Sequence, residues 1–519
     1  MYKESNINNE LQSIHRFYCQ HTLISRSSFT YLSKFSFVFS PIMQFFTPSL
    51  YIWLNSALLY SLLRLSASKP LSQSREKLVL LISFDGFRWD YLNRGLTPTF
   101  SKFGAYGGKA NYVVSAFIAK TFPTHYTIVT GLYEESHGIV ANNMYDPILD
   151  ERFSLRNREP NWWSQNGQEP IWITNQRQGG SSAVIDYPGM NVKFNGMVPN
   201  FENDVYNASV PFNDRTDLMV ELFLNDSINF AALYFHEPDR AGHLFGPDSK
   251  EMNETLKLCD DTMNYMIQKL KDADLYDKIN IIVTADHGMA STDLSQTIYA
   301  EDYLNGMVYP YFTTDNNPVL GIWPHNTSHV DPLYQALKKA PHISVYKKDE
   351  IPKEYHYRNN VRIPPILAVA DEGWMLRPAM VNSSNLVSVK GTHGYNNSLM
   401  SMHPFFLVHG PAFLPGSICP PFSSVDVYPL MCHLLGIEPR PNNGTLKTVQ
   451  QLLKEFNKGP RGTPDTGIDG HHNDYFVVGI AFACVLVMLA VILVIGMCLR
   501  QRKYHQTQRI HHTLDDSKF

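Results

Sequence analysis

Four short clusters in this 519-residue chain set carboxylates beside imidazoles: Asp85 in SFDGFR, Asp239 and His243 in DRAGH, Asp286 and His287 in ADHG, and His393 in THG. Oxygen and nitrogen donors in that mixture suit Zn²⁺ or a similar first-row ion and not Ca²⁺. Singly, each cluster is weak. Asp-His-Gly is also an ordinary turn at a strand end, Asp-x-x-x-His is one helical face or merely a loop, and a lone histidine such as His393 is more often a surface residue. The set gains its force from its order and from what precedes each acidic member.

What precedes them is a series of buried-strand patterns. Lys77 to Phe84 is an apolar run ending on Asp85, Lys278 to Ala285 is another ending on Asp286, and Phe230 to Phe235 is a third followed by Glu237 and Asp239. Continuous apolar runs suit central strands covered on both faces by helices. The reading is an α/β fold with a mostly parallel central sheet that delivers acidic residues to its C-terminal edge, where active sites of open sheets assemble. Helical periodicity covers Asp248 to Leu275 and Pro332 to Lys339. Residues 290–385 break the rhythm and read as a small inserted capping subdomain within a catalytic domain spanning 76–457. Internal repeats are absent.

Composition bounds the chemistry. The chain is 44% hydrophobic with a formal net charge of −4, so no basic surplus exists to hold a nucleic-acid polymer. Small anionic substrates fit better, and no obligate protein partner is evident. From Phe476 to Leu499 no charged residue occurs, and Arg500, Arg502 and Lys503 follow at once. Such a run crosses ~30 Å of hydrocarbon as a helix, and its basic flank stays cytoplasmic. The expected layout is therefore a Gly-, Pro-, Asp- and His-rich stalk over 458–475, a transmembrane helix over 476–499 and a cytoplasmic tail over 500–519. Residues 1–75 hold a second apolar stretch, Leu50 to Leu65, ending in Ser66-Ala67-Ser68. It reads as a signal peptide following a start at Met43, or as a retained signal anchor with Lys3, Arg16, Arg26 and Lys34 on the cytoplasmic side. Either version puts the central region outside the cell, at the plasma membrane. All seven Asn-x-Ser/Thr sequons lie between the apolar segments, at Asn207, Asn225, Asn253, Asn326, Asn382, Asn396 and Asn443, as glycosylation of an exposed ectodomain requires. Of the cysteines outside the apolar run and the N-terminal segment, a Cys419–Cys432 bridge is expected, leaving Cys259 unpaired.

A further segment, Ala119 to His125, completes a resemblance. In order, SFDGFR, KTFPTHY, GLYEESHGIVAN, DRAGH, ADHG and HGY resemble the ecto-nucleotide pyrophosphatase/phosphodiesterases of the alkaline phosphatase superfamily, over roughly Leu78 to Asn443. The layout is similar to the short forms, without somatomedin-like or nuclease-like domains. Phrases such as FDGFRWDYL, PIWITNQR, VYKKDEIP and VADEGW are closest to the branch of family member 5.

The resemblance implies roles that the residue types permit. Thr121 would be the nucleophile, its hydroxyl activated by one of two Zn²⁺ ions, since a free threonine is inert at neutral pH. Asp85, Asp286 and His287 would hold that ion together with Thr121. Asp239, His243 and His393 would hold the second. Asn142 would contact a phosphate oxygen, and a helix beginning near Pro123 would offer unpaired N–H groups beside Thr121. Phe122 and Tyr206 stand where family members clamp the nucleobase, and Tyr187 belongs to the same substrate region. This sequence departs from the family's pattern at Thr124 and Asn191, where asparagine and aspartate are usual, and at Tyr187, where tryptophan is usual. It also lacks the cysteine usual after ADHGM. The implied activity is metal-dependent cleavage of extracellular nucleotides such as ADP, NAD or dinucleoside polyphosphates, releasing nucleoside 5′-monophosphates through a covalent phospho-threonine. The alternatives are a lysophospholipid or choline-phosphodiester substrate with the same chemistry, and a non-catalytic surface protein on the same fold. A phosphomonoesterase would call for a serine nucleophile instead.

Overall fold

The central strand β1, Leu78–Phe84, shows why a continuous apolar run is needed here. It is wholly buried, and its side chains alternate between two separate cores. Val79 and Leu81 join one; Leu78, Leu80, Ile82 and Phe84 join the other. Every residue therefore loses water on one face or the other, as a strand covered on both sides must. The protein is described by a computed structural model, which covers residues 77–225, 228–304, 312–379 and 389–457.

Seven further strands complete the sheet: β2 (Gly108–Ala110), β3 (Ser182–Ile185), β4 (Phe201–Glu202), β5 (Phe230–Phe235), β6 (Ile279–Thr284), β7 (Phe406–His409) and β8 (Ser417–Cys419). Their spatial order is β8-β2-β7-β6-β1-β5-β3-β4. β1 pairs in parallel with both β5 and β6, and β7 alone runs against its neighbours β6 and β2. The mostly parallel α/β reading holds. Helices α1 (Pro98–Tyr106), α3 (Phe212–Asn225) and α5 (Lys250–Asp272) feed one core. Helices α2 (Thr121–Thr130) and α6 (Val427–Leu435) feed the other. The short helix α4 (Asp239–Phe245) follows β5. α5 begins at a Ser249 cap whose side chain accepts the Met252 amide and ends among Lys269 and Lys271, which suit the helix poles. It falls inside the expected 248–275.

Within the stretch that breaks the βα rhythm, an antiparallel sheet forms from the strands Phe312–Asn316, Val319–Trp323, Ile366–Ala370 and Ile343–Lys347 in that spatial order. A helix at Val330–Leu337 packs its Leu333 and Leu337 into a third core with Leu320, Ile322 and Ala368. This insert is tied to residues 138–162 by Arg362. Its Nε donates to Asp146 at 2.7 Å, with both side chains 1% exposed. Its other nitrogens reach the carbonyls of Gly138, Trp162 and Asn161, each at 2.8 Å.

Burial alone would raise the Asp146 carboxyl; Arg362 and the Leu149 and Ile148 amides outweigh it and hold it below the usual range. The pair's contribution is thus present above about pH 4 and lost as pH falls through the lowered value. Asp146→Ala, which strands a buried guanidinium, is expected to cost ~3–5 kcal/mol of unfolding free energy at neutral pH. Denaturant titration measures it, and the gap from wild type should narrow in acid. A loss under ~1 kcal/mol at neutral pH would mean that the carbonyl partners suffice.

The expected Cys419–Cys432 bridge is not formed: both are free and buried, as is Cys259, which was expected to be unpaired. Cys419 closes β8 in the sheet edge and Cys432 lies inside α6, so packing fixes each in its own element. Among the described residues no helix is long and apolar enough to cross a membrane. The segments read as signal region, stalk, 476–499 span and tail, and the sequon Asn382, lie outside the described residues. Of the other sequons, Asn207, Asn225, Asn326 and Asn443 are exposed, and Asn253 and Asn396 are half-buried.

Candidate active site

The parallel strands deliver their acids to one edge. Asp85 follows β1 directly, Asp286 lies two residues beyond β6, and Asp239 opens α4 after β5. Gly86 makes this convergence possible. Its φ is +68°, and a Cβ there would lie 2.9 Å from the Asp239 Cα, so no other residue lets the two turns meet. The Gly86 amide donates to Asp286 Oδ1 at 3.1 Å, and the Asp239 amide to the Asp85 carbonyl at 2.9 Å.

Every predicted metal-site side chain is drawn into this region. His287 Nε2 lies 3.0 Å from Asp286 Oδ2 and 3.5 Å from Asp85 Oδ1. His243 Nε2 and His393 Nε2 lie 3.4 and 3.5 Å from Asp239 Oδ1. The donor atoms fall into two groups, Asp85–His125–Asp286 and Asp239–His287–His393, with His243 beside the second. His287 thus stands between the groups rather than wholly with Asp85 and Asp286.

The hydrogen bonds behind the rings fix which nitrogen faces inward. Nδ1 of His243 donates to the Gly391 carbonyl at 2.8 Å, that of His393 to the Ala119 carbonyl at 2.7 Å, and that of His287 to the Gly288 carbonyl at 2.9 Å. A carbonyl only accepts, so each Nδ1 carries the proton. Nε2 is then the nitrogen left to face inward and to ligate once it carries no proton, as in ligating histidines. The Nε2 atoms of His243 and His393 face each other at 3.2 Å, close enough for both to bind one cation. Asp85 Oδ1 and Asp239 Oδ1 are buried without any hydrogen-bond partner, and Asp286 Oδ2 has only the rings of His287 and His125, at 3.0 and 3.2 Å, beside it. Three converging carboxylates, two of them with orphaned oxygens, cost too much unless positive charge compensates them. The donor set fits zinc-like ions.

Charge coupling in the cluster is strong. Burial, with Asp286 and Asp239 alongside, pushes the Asp85 carboxyl well above the usual range. Burial acts the same way on Asp286, but His287 and His125 outweigh it and hold that carboxyl well below. Burial, then the neighbours His287, Lys120 and His243, keeps His393 well below an ordinary histidine and so neutral.

Two site residues were not read from the sequence. His125 Nδ1 sits 2.8 Å from the Thr121 carbonyl and 3.2 Å from Asp286 Oδ2, while its Nε2 meets Ser83 Oγ at 2.8 Å. Both nitrogens are occupied, so despite its proximity His125 braces Asp286 rather than offering a lone pair. Its spacing of four from Thr121 on α2 was the available signal. Tyr234 donates its hydroxyl to Asp85 Oδ2 at 2.5 Å. That contact depends on the β1–β5 register, which pairs Ser83 with Tyr234 and which the sequence does not reveal. Because outer partners of metal ligands are worth 10–100-fold in affinity, His125→Ala is expected to weaken zinc binding by roughly that factor. A competitive zinc titration reads it, and unchanged affinity would reduce His125 to a packing residue.

Thr121 is the first residue of α2, which starts two residues before Pro123. The Phe122 amide donates to Asn142 Oδ1 at 3.0 Å, so that N–H is taken and is not available to a phosphate as expected; the bond instead fixes the Asn142 side chain beside Thr121. A cavity of about 780 Å³ runs from Asp85, Thr121 and Asp239 along Phe122, Tyr206, Tyr234, Asn191 and the loop arginines Arg156 and Arg158. Tyr206 is 38% exposed at its wall. Tyr187 borders the cavity but has no exposed surface; its ring packs edge-on against His125 at 5.0 Å and supports the site from behind. Asn191 adopts φ +62° and ties Asp204 through its side chain. Thr124 is fully buried, 3.5 Å from the Ile118 carbonyl and away from the cavity.

The family profile described as type I phosphodiesterase / nucleotide pyrophosphatase matches residues 79–396. The bis(5′-adenosyl)-triphosphatase enpp4 of Xenopus laevis is 43% identical over 403 residues, 76% of this chain and 86% of that protein. The ectonucleotide pyrophosphatase/phosphodiesterase family member 5 of Homo sapiens is 43% identical over 409 residues, 78% of this chain and 83% of that protein. Among solved structures, an inactive variant of murine family member 5 in complex with AMP matches with a TM-score of 0.69 at 43% identity, covering 73% of this chain and 100% of that one.

Proposed function

Because this chain belongs to the type I phosphodiesterase / nucleotide pyrophosphatase family, we propose that it cleaves phosphodiester or phosphoanhydride bonds of small nucleotides and releases nucleoside 5′-monophosphates. The observation that carries this is that Thr121 lines one cavity together with Asp85, Asp239, Phe122 and Tyr206. Relatives support the substrate class: one is named a bis(5′-adenosyl)-triphosphatase and another is solved with AMP. Dinucleoside polyphosphates, ADP and NAD are the candidate substrates.

In this reading Thr121 Oγ attacks the phosphorus next to the nucleoside, and the bond to the rest of the substrate breaks. The nucleoside phosphate stays esterified to Thr121 until water attacks the same phosphorus and frees the threonine. Asn142, held by the Phe122 amide, orients a phosphate oxygen, and Phe122 and Tyr206 stack on the base. Asp85, Asp286 and His287 would hold one zinc ion with Thr121, and Asp239, His243 and His393 a second. When bound, such a pair lowers the pKa of attacking groups and neutralises charge on the transferring phosphoryl oxygens. His125 and Tyr234 keep Asp286 and Asp85 aimed at the centre.

The apolar 476–499 run, its basic flank and the distribution of the sequons support a plasma-membrane protein with a glycosylated catalytic domain outside the cell. The test of function is product analysis with zinc present, offering p-nitrophenyl thymidine 5′-monophosphate beside lysophosphatidylcholine. Release of thymidine 5′-monophosphate is expected; an intact nucleotide ester beside a cleaved lipid would transfer the same chemistry to the lipid branch.

A further inference from the structure

Behind the cavity wall lies a charged residue that the chemistry above does not use. Arg215, in the first turn of α3, is 1% exposed and does not itself line the cavity. Its guanidinium nevertheless reaches three cavity-lining segments. Nε lies 3.1 Å from Asp186 Oδ2. Nη1 donates to the Tyr234 carbonyl at 3.0 Å, and Nη2 to the Asn207 carbonyl, next to Tyr206, at 3.0 Å. Its Cζ is 5.8 Å from the centre of the Tyr206 ring. Asp186, Tyr206 and Tyr234 all line the cavity.

The three segments depend on this brace unequally. Tyr234 sits in β5, hydrogen-bonded along its length to β1 and β3, and keeps its place without Arg215. The Tyr206 segment has no strand partner. Asn203 and Asp204 tie it to Asp186 and Asn191 on one side, and Arg215 ties it at Asn207 on the other. The planar fork hydrogen-bonds two carbonyls through Nη1 and Nη2 while Nε stays beside Asp186 as an ion pair, whereas a lysine ammonium is a single point charge.

Resting on the nucleotide reading above, we infer that Arg215 is a positioning residue that determines specificity. With Asp186, it holds the Tyr206 wall in place for a nucleobase and sets affinity for the base without entering the chemistry at Thr121.

The test uses the full-length protein with zinc and two diesters, p-nitrophenyl thymidine 5′-monophosphate and the base-free methyl p-nitrophenyl phosphate. Arg215→Lys is expected to raise KM for the nucleotide ester roughly tenfold, a typical size for a lost base-stacking contact, with kcat within about threefold. Its kcat/KM for the base-free ester should stay within about threefold of wild type. Asp186→Asn should raise the nucleotide KM in the same direction, and it carries the test if thermal melts show Arg215→Lys unfolded. Equal losses of kcat on both substrates, or no change on either, would overturn the inference. Tyr206→Ala separates the two layers of the claim. If it raises the nucleotide KM while Arg215→Lys and Asp186→Asn do not, the brace alone is wrong. If it too leaves that KM unchanged, the nucleotide reading of the cavity fails.

Discussion

Thr121→Ala is expected to lower kcat by on the order of 10³-fold or more on any nucleotide diester, with the fold intact. The size follows from what is removed. Loss of a nucleophile leaves only binding and charge stabilisation, and in covalent enzymes that remainder is a small fraction of the rate. Thr121 is half-buried at the first position of α2, where alanine is tolerated, so a thermal melt should barely move. KM should change little, because Phe122, Tyr206 and Asn142 remain. Thr121→Ser keeps a hydroxyl and should restore a measurable part of the rate. An alanine variant with more than about a tenth of wild-type kcat would remove Thr121 from the chemistry.

Prolonged chelation should have an effect of similar size, reversible by zinc. Orphaned oxygens on Asp85 and Asp239 converge with Asp286 and with the Nε2 atoms of His243, His287 and His393, and a cation is what satisfies them. A ligand that binds only the native state stabilises it by about 4 kcal/mol at a thousandfold excess over Kd. Chelated protein should therefore melt earlier as well as turn over less. Acid works in the same direction. Burial and its acidic neighbours raise the Asp85 carboxyl, so a proton competes with the metal there as pH falls, and histidine protonation adds to the competition. Full activity and an unshifted melt after exhaustive chelation would exclude a metal site.

Much of this site was legible because its geometry is carried by local features. A buried parallel strand must be apolar throughout, so β1, β5 and β6 announced themselves, and the acids at their ends followed. The spacing of Asp239 and His243 allowed one helical face, which α4 supplies, and the extent of α5 came from its period. What escaped reading depends on pairings between distant segments. Tyr234 reaches Asp85 through strand register, and Tyr187 turns inward behind His125, leaving no surface for a substrate. The Phe122 amide looked available for phosphate because Asn142, twenty residues on, is brought to it only by the fold. Likewise Cys419 and Cys432 are close in sequence, but a sheet edge and a helix hold them as separate thiols. Arg215 carries no local signature at all; the segments it reaches, at Asp186, Asn207 and Tyr234, meet only in the fold.

The most direct measurement of the central claim is acid-quenched mass spectrometry of the zinc-loaded protein during turnover of p-nitrophenyl thymidine 5′-monophosphate. A thymidine monophosphate adduct should appear on the peptide containing Thr121, with thymidine 5′-monophosphate accumulating as product. Turnover with that peptide unmodified, or with the adduct on another residue, would contradict the account.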